Sequence, residues 1–179
     1  MTTHNASCSP IRPLWINPTS VYINKSCETT LYPKLCSKTL SKYAEKINSS
    51  PKILAMTALA ATFNATQLTS KILRNLTRSR ALKPGESVAL LECVEEVSDA
   101  AYELQKSMKE LKEARKGPEF YRQMDDVQTW VSAALTDDDT CMDDFTTVGR
   151  VRILARGFVL TIARLTSISL TFINNYAAV

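Results

Sequence analysis

The segment from Pro84 to Cys141 reads PGESVALLECVEEVSDAAYELQKSMKELKEARKGPEFYRQMDDVQTWVSAALTDDDTC. Its apolar residues recur at alternating spacings of four and three on both sides of Gly117-Pro118. This spacing places apolar side chains on one face of a helix, and a glycine followed by a proline ends one helix and starts the next. The segment therefore predicts two long antiparallel helices. Their apolar positions are Leu90, Val94, Val97, Ala101, Leu104, Met108 and Leu111, then Phe120, Met124, Val127, Val131, Ala134 and Cys141.

Two cysteines test this hairpin because they flank its turn symmetrically. Cys93 lies 24 residues before Gly117, and Cys141 lies 24 residues after it. In an antiparallel hairpin, residues equidistant from the turn lie level with each other, so these two sulfurs can bond across the helix pair.

Cys27 and Cys36 flank a Tyr32-Pro33 turn, and their separation of nine residues suits a local bridge. Cys8 is then left over in the N-terminal segment, where we expect a free thiol. The alternative is a set of buried reduced thiols. That alternative suits a cytosolic chain and fits poorly with the glycosylation sequons described below.

Helix signals before and after the hairpin predict two further long helices. Ser50-Pro51 suits a helix start, because Ser can cap and Pro fits the first helical position, and Gly149 marks the last break. The expected core positions are Leu54, Ala58, Ala61, Ala65, Leu68, Ile72 and Leu76 in the first of these helices, and Val151, Leu154, Phe158, Ile162, Leu165, Phe172 and Tyr176 in the last. Because the connections are short, residues 50–177 are predicted to form an all-α, up-down-up-down antiparallel four-helix bundle.

The residues before the bundle predict a smaller unit. Residues 20–48 read as a helical hairpin, in which a helix over about 34–47 follows Pro33. Residues 1–19 are polar, contain three prolines and read as an irregular arm. We therefore expect one disulfide-stapled domain over residues 20–179.

Composition excludes several classes of protein. With 45% apolar and 22% charged residues, the chain can bury a core, so wholesale disorder is not expected. Four glycines are too few for the many turns of an all-β fold. A net charge of +4 without basic runs argues against nucleic-acid binding. The longest apolar stretches are interrupted by Arg or polar residues, so no membrane span is predicted.

Sequons and cysteines together predict a secreted, extracellular glycoprotein. The five sequon asparagines are Asn5, Asn24, Asn48, Asn64 and Asn75. Residues 1–10 show neither a basic n-region nor an apolar h-region, so no signal peptide is recognised in this sequence. The alternative is a Ser/Thr-rich cytosolic chain with sequons by chance.

Catalytic patterns are missing from the sequence. Its one histidine, His4, lies in the N-terminal arm, so the body of the chain offers no Ser–His or Cys–His pair. The cysteines lack metal-ligand spacing, and no phosphate-binding glycine loop is found. The sequence therefore predicts a protein that is not an enzyme, with no cofactor, no metal and no small-molecule substrate.

Acidic residues gather at one level of the predicted hairpin. The group on the second helix is Asp137, Asp138, Asp139, Asp143 and Asp144, and the group around Cys93 is Glu92, Glu95, Glu96 and Asp99. The first interpretation is a solvated bend in the chain. The second is an acidic docking patch for a basic partner protein, since a bridge between Cys93 and Cys141 would join both groups on one face.

Four motifs resemble the plant invertase/pectin methylesterase inhibitor domain. They are Ser26-Cys27-x-x-Thr-x-Tyr32-Pro33-x-x-Cys36, the stretch from Ala89 to Leu104, Thr129-Trp130-Val-Ser-Ala-Ala-Leu-Thr136 with Thr140-Cys141, and Ala163-Arg164-Leu165-Thr166-Ser167. The closing motif departs from the family at Ile168, where Asn is frequent. The resemblance implies a bundle with an N-terminal hairpin. It also implies one disulfide between the first and second motif cysteines and another between the third and fourth.

The residues of these motifs are most similar to those of the esterase-related branch of the family. The Pro-Lys-Phe tripeptide of invertase inhibitors is absent from the sequence. The resemblance therefore implies an inhibitor of pectin methylesterase that forms a 1:1 complex and covers the substrate cleft of the esterase. An inhibitor of acid invertase is the alternative. The positions that match the contact surface of the family are Glu95, Asp99, Thr140 and Asp143.

Overall fold

The computed structural model describes residues 18–79, 82–143, 145 and 149–178, and all secondary structure in these residues is helical. The helices are α1 (Pro18–Glu28), α2 (Pro33–Leu40), α3 (Ala44–Ile47), α4 (Pro51–Thr77), α5 (Pro84–Glu113), α6 (Phe120–Asp143) and α7 (Arg150–Ala177), with a 3₁₀ turn at Ser41–Tyr43. The all-α fold predicted from the sequence is confirmed.

The four long helices form the predicted antiparallel bundle. Neighbouring pairs around it are α4–α5, α5–α6, α6–α7 and α4–α7. The hydroxyl of Ser50 accepts the backbone N–H of Ile53 and so caps α4, as the Ser-Pro pair indicates. Pro84 is the first residue of α5, because its fixed φ suits that position.

Two disulfides staple the fold and join the cysteines that the sequence pairs. The hairpin bridge, Cys27–Cys36, ties α1 to α2 with a Cα–Cα distance of 5.5 Å. The bundle bridge, Cys93–Cys141, ties α5 to α6 with a Cα–Cα distance of 4.2 Å. All four cysteines are buried, so each bridge lies within a core cluster. Cys8 lies outside the described residues.

The N-terminal hairpin differs from the prediction in two details. Helix α1 already begins at Pro18, within the segment predicted as an arm, and residues 1–17 of that segment lie outside the described part of the chain. The helix expected over 34–47 is split by the 3₁₀ turn, where the Ser41 hydroxyl donates to the Ser37 carbonyl. Such local side-chain bonds compete with a regular helix.

The core matches the apolar pattern of α6 and, in part, that of α4, where Leu54 and Ala58 are buried as expected. On α6, Met124, Val127 and Val131 are buried as expected. On α4, Leu68 is 59% exposed, while Thr62 takes a core position. Burial of Thr62 is possible because its hydroxyl donates to the Ala58 carbonyl at 3.0 Å and contacts the Ser169 hydroxyl of α7 at 2.9 Å.

Two predicted core positions of α7 are likewise at the surface. Leu154 is 51% exposed and Phe158 is 37% exposed, whereas Ile162, Leu165 and Phe172 are buried as expected. Apolar residues at helical spacing also occur outside the core, because the outer sides of α4 and α7 are apolar. The assignments of Leu68, Leu154 and Phe158 to the core are therefore wrong.

Helix α7 is long and apolar enough to cross a membrane by length and composition alone, with a mean hydropathy of 1.5 over 18 residues. Core helices meet the same criterion, and α7 packs between α4 and α6. Its residues Val159, Ile162 and Ile173 are each at most 1% exposed, as expected for a core helix.

Candidate docking face

The α5–α6 pair is the most closely packed pair of the bundle and carries the predicted contact residues. The bundle bridge fixes the start of α5 beside the end of α6, because its two Cα atoms are only 4.2 Å apart. Glu95 and Asp99 follow Cys93 on α5, and Thr140 and Asp143 flank Cys141 on α6. One covalent link thus holds both groups at the same level.

The four predicted residues differ in their surroundings. Glu95 and Asp99 are exposed and lie one turn apart on α5. Asp143 is exposed and is the last residue of α6. Thr140 is half-buried, and its hydroxyl donates to the Thr136 carbonyl at 2.9 Å. All four side chains therefore reach solvent to some degree, and their role in binding stays a prediction.

A compact acidic cluster lies where α5 and α6 meet, and Asp137 is its centre. Burial of this half-buried carboxyl, and the negative charges of Glu96, Asp99 and Glu103, raise its pKa to about 6. Asp137, Glu96 and Asp99 belong to the acidic groups predicted from the sequence, whereas Glu103 does not. Helical register could have found it, since positions 96, 99 and 103 share one face.

Aromatic and basic side chains extend the same surface toward the middle of the bundle. The ammonium of Lys106 lies 4.4 Å from the ring centre of Trp130 and 5.5 Å from that of Tyr102. It also pairs with Glu103 at 3.2 Å. Exposed Tyr and half-buried Trp side chains beside charged groups are typical of the energetically dominant part of a protein interface. This group of side chains was not predicted from the sequence.

Asp138 itself fits neither interpretation of the aspartate run. Helix α6 continues through Asp137, Asp138 and Asp139, so the run is not a bend. Asp138 is 1% exposed and faces Thr166 of α7 rather than solvent or a partner. The helical period explains this position, because 138 lies four residues after the buried Ala134. Asp144, the fifth aspartate, lies outside the described residues.

Burial favours the neutral form of the Asp138 carboxyl, whereas the hydrogen bond donated by Thr166 favours the charged form. The Thr166 hydroxyl lies 2.9 Å from the Ile162 carbonyl and 3.3 Å from Asp138 Oδ2, and its single proton serves one of them. If that proton goes to the carbonyl, a protonated Asp138 can donate to Thr166. Burial raises the pKa of Asp138 to about 8, opposed by the Thr166 hydrogen bond and reinforced by the charges of Asp137 and Asp139.

The remaining predicted sites are surface asparagines. Asn24, Asn48, Asn64 and Asn75 are all exposed, as glycosylation requires, and their occupancy stays a prediction. Asn5 and His4 lie outside the described residues. Within the described ranges, no group of three or more His, Cys, Asp or Glu side chains could hold a metal ion.

Comparison with known proteins identifies the family and the fold. Residues 21–172 match the family described as plant invertase/pectin methylesterase inhibitor. The chain is 44% identical over 160 residues to pectinesterase inhibitor 10 of Arabidopsis thaliana, covering 88% of this chain but only about half (51%) of that relative. It is 39% identical to the 21 kDa protein of Daucus carota, covering 90% of this chain and 86% of the relative. A crystal structure of a mutant form of a pectin methylesterase inhibitor from Arabidopsis superposes with a TM-score of 0.68 at 26% identity, covering 85% and 95% of the two chains.

Proposed function

This chain belongs to the plant invertase/pectin methylesterase inhibitor family, and we propose that it inhibits a pectin methylesterase by forming a 1:1 complex that occludes the substrate cleft. The observation that carries this proposal is identity of 39–44% over most of the chain to relatives that include pectinesterase inhibitors 10 and 11 of Arabidopsis. Inhibition of an acid invertase is the second candidate, and the names of these relatives favour the esterase.

The docking surface is the exposed side of α5 and α6 around Glu95, Asp99, Thr140 and Asp143. Its carboxylates would steer a basic esterase into an encounter, because complementary charge mainly raises the association rate. The bundle bridge keeps the two helices in fixed register, so little ordering entropy is lost on binding. Steric occlusion needs only such a rigid surface and no catalytic group.

The protein acts outside the cell in this proposal. Two disulfides form and persist in oxidising compartments, and the four described sequon asparagines are accessible for glycosylation. Pectin and its esterases are cell-wall components, so secretion brings the inhibitor to its target. The protein itself hydrolyses nothing, since the bundle offers neither histidine nor a nucleophile–base pair.

The test is a direct comparison of two target enzymes. The purified chain is mixed with a plant pectin methylesterase and, separately, with an acid invertase. Methanol release should be suppressed at a 1:1 molar ratio, while sucrose hydrolysis should continue. Suppression of the invertase alone would replace the first candidate by the second. Methanol release by the chain without added esterase would overturn the proposal that it is not an enzyme.

A further inference from the structure

Charge is strongly segregated between the two sides of the bundle. Helices α4 and α7 together contain seven Lys and Arg residues and no Asp or Glu. Helices α5 and α6 contain fourteen Asp and Glu residues against four Lys and Arg residues. The net charge of +4 hides this division. Neighbouring helices α4 and α7 thus form a basic side behind the acidic docking face.

An open groove of about 500 Å³ runs between α4 and α7 on this basic side. Its walls are apolar and include Leu68 and Ile72 of α4 and Ile153, Leu154 and Phe158 of α7. Leu68, Ile153 and Leu154 are each more than half exposed. The groove is therefore an open apolar surface, distinct from the docking face.

Two arginines of α7 lie just beyond the residues that line this groove, and one of them, Arg164, lines a separate recess with Tyr32 and Leu35. Gly157 lines the groove, and Arg150 and Arg164 lie seven residues before and after it, so both project from the same side of α7. Seven residues correspond to roughly 10 Å along a helix. Both arginines are exposed, and the Arg164 guanidinium lies 5.5 Å from the Tyr32 ring centre. Neither belongs to an ion pair found in the described part of the chain.

From this arrangement we infer that the α4–α7 groove binds a polyuronate chain, namely pectin whose methyl esters have been removed. Guanidinium groups pair well with carboxylates, because their planar forks match carboxylate geometry. The apolar walls of the groove can pack against the C–H faces of sugar rings. A second copy docked groove to groove fits poorly, since it would bring two acid-free, cationic surfaces together.

The inference rests on the proposed function, because hydrolysis by a pectin methylesterase turns each neutral methyl ester into a carboxylate. The inhibitor would then be retained where its target has already acted, with the docking face still free on the other side of the bundle. Binding of the polymer and inhibition of the esterase would thus use separate surfaces.

The test measures polymer binding without any esterase, so its outcome does not depend on inhibition. The full-length chain is used as it is secreted, and any glycans at Asn64 and Asn75, which lie one turn from Leu68 and Ile72 on α4, are left in place. De-esterified pectin should bind at least about tenfold more tightly than fully methyl-esterified pectin, and the affinity should fall as salt rises.

Two double variants with the same change in net charge separate a site from a general charge effect. Arg150→Glu with Arg164→Glu should lose about tenfold or more in affinity and inhibit the esterase as well as the unaltered chain does. Lys109→Glu with Lys112→Glu, at exposed positions of α5, should bind pectin nearly as well as the unaltered chain. Equal loss in both double variants, or equal binding of both pectins, would overturn the inference. Tighter binding to vesicles of anionic phospholipid than to de-esterified pectin would assign the groove to a membrane surface instead.

Discussion

Replacement of Asp138 by Asn tests how the bundle tolerates a carboxyl in its core. Asp138 is 1% exposed, and its pKa is raised to about 8 from an ordinary value of 3.8. The folded state therefore holds a proton that the unfolded state releases above about pH 4. The contribution of Asp138 to the free energy of unfolding is most favourable below that pH. It falls as the pH rises toward 8, since folding then requires the uptake of a proton from solution.

The size of this effect follows from the shift. Each pH unit between the unfolded and folded pKa values changes the free energy of unfolding by about 1.4 kcal/mol for one group. Between pH 4 and pH 6, Asp138 should thus cost the folded state on the order of 3 kcal/mol. Asn mimics the neutral carboxyl at every pH, so Asp138→Asn should remove this loss.

The assay is urea unfolding followed by circular dichroism at pH 4 and pH 6. The stability of Asp138→Asn relative to the unaltered chain should rise by about 3 kcal/mol between the two pH values. Asp139→Asn is the matched control, because Asp139 is the next residue and is exposed; its relative stability should change by less than about 0.5 kcal/mol. Parallel behaviour of the two variants would refute the neutral, buried carboxyl.

Three further predictions concern the disulfides, the cap of α5 and the docking face. Replacing Cys93 and Cys141 by Ala should lower the free energy of unfolding by about 4 kcal/mol, against about 2.5 kcal/mol for loss of the hairpin bridge, because the longer loop gains more entropy on unfolding; denaturant titration distinguishes the two. Gly149→Ala should lower the free energy of unfolding by about 1 kcal/mol, because the new Cβ would displace the Glu86 carboxylate that caps α5. Thermal melting measures this loss, which should vanish in a chain that already carries Glu86→Ala. Asp143→Lys should weaken inhibition of the esterase at least tenfold while changing stability by less than about 0.5 kcal/mol, which inhibition assays and thermal melts measure together.

The bundle could be predicted from the sequence because the residues at helix boundaries and the positions of the cysteines agree. Ser50-Pro51 and Gly117-Pro118 mark helix boundaries by local backbone chemistry, which needs no knowledge of packing. The equal distances of Cys93 and Cys141 from Gly117 fixed the register of α5 against α6. These features depend on residue type and spacing alone, so they can be read before the fold is known.

Side-chain burial could not be predicted as well, because it depends on partners from other helices. Thr62 lies in the core, where it contacts Ser169, 107 residues away in sequence, whereas Leu68 is exposed. The helical period places position 138 in the core, but an aspartate gave no reason to expect burial, and its partner Thr166 lies on α7. The acidic groups around Cys93 and Cys141 can be read from composition, and their role in docking stays a prediction, whereas the Lys106–Trp130 contact needed the register of two packed helices.

The most direct test of the docking face is a charge reversal whose effects on stability and binding have opposite expectations. Asp99 is exposed and repels Asp137 across the α5–α6 pair, so Asp99→Lys should leave the melting temperature unchanged or raise it. The same change puts a positive charge in the surface proposed to meet a basic esterase, and inhibition of methanol release should fall at least tenfold. Asp125→Lys, at an exposed position of α6 nearer the Gly117 turn, should inhibit as the unaltered chain does. If Asp99→Lys inhibits a pectin methylesterase as strongly as Asp125→Lys, the acidic side of α5 and α6 is not the surface that occludes the cleft.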